Sequence, residues 1–92
     1  MDSKKTTDDS AQAPVSFATN ILPLFRAVDI QHMKPRGVLL SDYTWMSTPA
    51  NAQEVYNYLT GDSQPRMPIG GPYWNAAQLQ LFKTWTTTGY NP

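Results

Sequence analysis

The chain has no cysteine. That absence removes disulfides, thiolate metal sites and thiol nucleophiles together. There is one histidine in 92 residues, too few imidazoles for a histidine-built metal site. Net charge is also missing, because seven Lys and Arg offset seven Asp and Glu. A balanced surface carries no electrostatic footprint for nucleic acid or for an anionic membrane. No apolar run approaches the roughly 20 residues that span a bilayer. Lys4 and Lys5 are followed by polar residues rather than an apolar core, so no secretory leader is read. The expectation is a soluble, cytoplasmic protein. Convincing period-two alternation is absent as well, and no internal repeat is evident.

What is present is a short chain rich in turn-formers and aromatics, with eight prolines, five tyrosines, three tryptophans and three phenylalanines. The length allows one domain. Residues 1–14 contain Asp, Ser, Thr, Lys and Gln but no large apolar side chain after Met1. Such a segment cannot offset its ordering entropy, so it is expected to be a disordered tail preceding a domain over residues 15–92.

Within that domain the apolar spacing is helical. Phe17, Ile21, Leu24, Phe25 and Val28 form one stripe, predicting a helix over about 17–27. Pro23 lies inside it and either kinks the helix or sits in a first turn that starts near Thr19 or Asn20. Residues 29–33 read as a short helical or turn-like piece ended by Pro35 and Gly37. Val38, Leu39 and Leu40 read as an extended link that packs inward. Ser41 or Asp42 can cap a short helix through Met46. Ser47 or Thr48 can cap the next, with Pro49 at its first position. That helix runs to about Leu59, burying Ala52, Val55, Tyr56 and Leu59, and Gly61 suits the position just beyond it. Residues 62–73 hold three prolines and two glycines and form a loop of about a dozen residues, a length that in small domains usually carries function. The final helix is the best marked. Asn75 and Gln78 have capping-box spacing, Trp74 can staple onto Leu79, and Leu79, Phe82 and Trp85 make the inward face ending at Gly89. The fold class is all-α, with three main helices and one or two short ones.

The segment Arg66-Met67-Pro68, the loop Gly70-Gly71-Pro72 and the face Leu79, Phe82, Trp85 resemble the end of a class I cytochrome c. Ile21-Leu22-Pro23-Leu24-Phe25 looks like the helix that precedes the haem motif in that family, and residues 51–59 look like its middle helix. The likeness implies a cytochrome c-like helical domain. It also implies a departure. Where the family places Cys-x-x-Cys-His, this chain has Val28-Asp29-Ile30-Gln31-His32, so Val28 and Gln31 stand at the cysteine positions and covalent haem attachment is impossible. In bacteria that attachment takes place outside the cytoplasm, which agrees with the expectation of a cytoplasmic chain.

The residue types permit three functions. The first is a haem-free accessory or protein-interaction module, associated with a redox enzyme. The loop from Arg66 to Trp74 is then the contact surface, because Arg66, Met67, Tyr73 and Trp74 combine a guanidinium, a thioether and two aromatics on a proline-stiffened backbone. The second is a noncovalent haem protein for electron transfer or haem sensing, with His32 and Met67 as the axial pair. The third is a small non-catalytic subunit of an enzyme complex. In the haem-free readings Tyr43, Trp45 and Trp74 fill the space a haem takes, and Met67 can plug the same space. No catalytic constellation is present. Asp29, Asp42, Glu54 and Asp62 are scattered, and Asp29 with His32 reads as a cap and its neighbour. Gly70-Gly71-Pro72 is not a phosphate loop, since Pro72 removes a donor. The expectation is a non-enzyme without a metal, whose partner is another protein.

Overall fold

The computed structural model describes residues 14–92, and all regular structure among them is helical. Four α-helices carry the fold: α1 (Ala27–Met33), α2 (Tyr43–Met46), α3 (Pro49–Thr60) and α4 (Ala76–Thr87). None is long and apolar enough to cross a membrane. The expected tail over residues 1–14 lies outside the described residues except for Pro14, which is exposed.

The stripe from Phe17 to Val28 does not form one helix, contrary to the spacing. Ser16 caps a π-helical turn over Phe17–Ile21 by accepting the Thr19 N–H at 3.1 Å. A 3-10 turn over Leu22–Leu24 follows, with Pro23 in its first positions. Proline lacks the N–H that would continue an α-helical ladder. Phe25 and Arg26 are then extended, at ψ 133° and 158°, and the chain restarts as α1. The restart resets the phase of the stripe. Phe17, Ile21 and Phe25 remain buried, whereas Val28 is 49% exposed. α1 therefore begins at Ala27 and includes the piece expected at residues 29–33. The Pro35 turn and Gly37 end it as anticipated.

Beyond α1 the local signals and the structure agree closely. Val38 and Leu40 are buried on the link. Asp42 caps α2 by accepting the Trp45 N–H at 3.1 Å. Thr48 precedes Pro49 as the α3 N-cap, but its hydroxyl donates to the Thr44 carbonyl at 3.1 Å instead of capping. α3 buries Ala52, Val55 and Leu59, leaving Tyr56 half-buried. Gly61 ends it at φ +90°, a left-handed conformation that side chains disfavour. Asn75 and Gln78 form a reciprocal capping box on α4, with both hydrogen bonds at 2.9 Å. At its other end the Tyr90 N–H donates to the Trp85 carbonyl at 3.1 Å across Gly89. This is the Schellman arrangement, and the Tyr90 ring lies on Trp85 as that motif favours.

α4 packs on α3 and on the π turn, and α2 packs on α3. A row of rings crosses the core between them. Phe25 meets Trp74 at 5.1 Å between centroids, Trp74 meets Phe82 at 6.2 Å, Phe82 meets Trp85 at 5.7 Å, and Trp85 meets Phe17 at 5.6 Å. The end of the chain closes the row. The Asn91 carbonyl accepts both the Phe17 N–H and the Trp85 indole N–H at 2.8 Å, and the Asn91 amide donates to the Val15 carbonyl at 3.3 Å.

Candidate functional site

The loop between α3 and α4 is held from inside. Its Met67 N–H donates to the Tyr58 carbonyl of α3 at 2.9 Å, and the Gly71 N–H closes a turn onto the Pro68 carbonyl at 2.8 Å. Met67 is 2% exposed and Trp74 is 6% exposed, and both belong to the main core cluster. Two of the four residues assigned to the contact surface are therefore core residues, which corrects their placement outside. The physical reason is their large apolar area: a thioether and an indole at the ends of a loop that must seal a small core gain more from burial than from exposure. Trp74 pairs with Phe25 and Phe82, and Leu79 packs half-buried against the same core cluster.

Of the other two residues, Tyr73 stands outside and Arg66 is half-buried beside it. Tyr73 is 49% exposed, and the Arg66 guanidinium carbon lies 4.2 Å from its ring centroid, a cation–π stack. The Arg66 stem runs against the backbone of Gly61, where a Cβ would meet Cδ at 3.0 Å. Its Nε is buried without a hydrogen-bond partner.

Tyr73 also borders a cleft of about 150 Å³ between the start of α1 and the loop. Leu24, Pro68, Pro72 and Trp74 form its apolar walls, and Arg26, Asp29 and Gln78 its polar ones. Asp29 is 5% exposed and is saturated by Arg26. One carboxylate oxygen accepts the backbone N–H at 2.9 Å and Nε at 3.1 Å, and the other accepts Nη2 at 2.8 Å. Burial pushes the Asp29 pKa up, but the Arg26 hydrogen bonds, the Arg26 charge and a smaller contribution from His32 outweigh it and hold the carboxyl below its usual range. Spacing alone pairs Asp29 with His32. The Arg26-x-x-Asp29 interval was the missed signal, since an acid at the third helical position can reach back to the residue before the helix.

His32 lies exposed on α1, beside a concavity lined by Val28, Gln31 and His32. Met67 is not part of that lining and faces the core. Of the pair named for haem ligation, His32 is thus solvent-exposed and Met67 is 2% exposed. Tyr43 and Trp45 pack half-buried against the core. No group of three metal-ligating side chains occurs among the described residues. No family model matches the chain, and no curated protein or solved structure is significantly similar to it.

Proposed function

We propose that this chain is a haem-free, cytochrome c-like helical domain acting as a non-enzymatic protein-interaction module, with the outer rim of the 62–75 loop as its contact surface. The observation that carries the reading is the division of the loop: Met67 and Trp74 anchor it in the core, while the half-buried Arg66 stacks on the exposed Tyr73. A loop pinned from within loses little entropy on binding. Arg and Tyr are residue types enriched at binding hot spots. Val28 and Gln31 at the cysteine positions support the haem-free half of the proposal.

The test is a set of alanine variants assayed for affinity to a partner recovered by cross-linking and for thermal stability. Arg66→Ala and Tyr73→Ala weaken binding by about 1–2 kcal/mol each and leave folding intact. Met67→Ala lowers stability by about 2–5 kcal/mol, as expected for a buried methionine. Affinity unchanged by both rim substitutions would move the interface to the helix faces.

A further inference from the structure

Tyr90 and Asn91 are tied to three parts of the fold. From α2, the Tyr43 hydroxyl donates to the Tyr90 carbonyl. From α4, the Trp85 indole N–H donates to the Asn91 carbonyl, and the Trp85 carbonyl accepts the Tyr90 N–H. From the segment before α1, the Phe17 N–H donates to the same Asn91 carbonyl, and the Val15 carbonyl accepts the Asn91 side-chain amide. These bonds hold a backbone that local preference opposes. Tyr90 sits at φ 55°, the sole non-glycine residue at positive φ among the described residues. A bulky residue there is strained and persists only while its surroundings hold it. Gly89 precedes it at φ +106°, and a Cβ added there would meet nothing within 4 Å, so no neighbour packs on the backbone at that point. The partner segment is irregular too, because Phe17–Ile21 is a π turn, a rare conformation. Tyr90 and Asn91 are only half-buried, and Gly89 is exposed. Freeing residues 89–91 therefore gives up the Tyr90–Trp85 ring pair and polar bonds that water can replace, whereas unfolding the helices gives up the whole row of rings.

We infer that residues 89–91 form a strap, hinged at Gly89, that lifts from the Trp85 end of the ring row while the helices stay folded, and that its closure locks the Val15–Phe17 segment onto α4. Native domains open in such small cooperative units at a fraction of the cost of global unfolding. Lifting relaxes Tyr90, frees the Phe17 and Tyr90 N–H groups together, and bares the side of Trp85 that the Tyr90 ring covers. Strap and segment thus make one switchable contact, since the Phe17 N–H and the Val15 carbonyl share Asn91 as their partner.

The test is amide hydrogen exchange of the full chain labelled with ¹⁵N, followed at urea concentrations below the unfolding transition. The Phe17 and Tyr90 amides report the strap, and those of Val55 in α3 and Phe82 in α4 report the helices. Corrected for intrinsic rates, the strap amides are expected to exchange faster than the helix amides, with one shared protection that urea hardly alters, because lifting exposes little surface. Tyr43→Phe keeps the ring beside Phe17 and removes the bond to Tyr90, so it speeds Phe17 and Tyr90 by the same factor, about fivefold for one hydrogen bond. Asn75→Ala, at the far end of α4, weakens the fold as a whole and speeds Val55 and Phe82 while leaving the strap amides unchanged. Strap amides as slow and as urea-dependent as those of the helices would overturn the inference. So would an unequal response of Phe17 and Tyr90 to Tyr43→Phe, which would show the two sides moving separately. Equal acceleration of all four amides by Asn75→Ala would overturn it as well, since the strap would then lift only when the whole fold opens.

Discussion

At the scale of single residues, direction decides role. Met67 and Arg66 are neighbours in sequence, yet one is sealed in the core and the other lies over Tyr73. That division was not legible in the sequence. Loop residues lack the periodicity that tells inside from outside in a helix, so contact surface and core plug were equally available for Met67 and Trp74. Asp29 shows the same limit, because its partner Arg26 belongs to the extended residue before α1 rather than to the helix face it shares with His32. The Asp29 contact has a pH consequence. Its folded pKa lies below its unfolded value, so the contact stabilises the fold fully above about pH 4, near the ordinary aspartate pKa, and the contribution is lost as pH falls through the folded value. Urea midpoints of the native chain and Asp29→Asn are expected to differ by a constant amount near neutrality and to converge below about pH 4. A gap that persists or widens in acid would show that Asp29 contributes packing rather than charge.

At the scale of elements, legibility follows the strength of local chemistry. α4 was readable at both ends because Asn75, Gln78 and Gly89 each satisfy specific backbone groups, and α3 was readable from Pro49 and Gly61. The segment Phe17–Val28 was misread as continuous because its apolar spacing outlasts its helix. The π turn, the Pro23 turn and the extended Phe25 and Arg26 keep Phe17, Ile21 and Phe25 inside but rotate Val28 out. The cap on α4 gives an element-level prediction. Asn75→Ala removes one half of the box and is expected to cost about 1 kcal/mol, measured as a lower denaturant midpoint with an unchanged slope. No loss of stability would mean that Gln78 and solvent satisfy the first turn without it.

At the scale of the whole molecule, Trp85 joins the parts. Its ring meets Phe17 at a tilt and Phe82 and Tyr90 edge to face, and its indole N–H reaches the Asn91 carbonyl that also holds Phe17. Trp85→Ala is expected to cost about 3–5 kcal/mol, a large share of the stability of a domain of this size. An unchanged melting temperature would show that the row of rings does not bind the helices together. In the same row Trp74 lies between Phe25 and Phe82, and Met67 belongs to the same core cluster. The most direct test of a haem-free domain is a visible absorption titration of the purified chain with haemin. The account predicts a colourless protein and no sharp Soret band. A sharp band that disappears in both His32→Ala and Met67→Ala would contradict it.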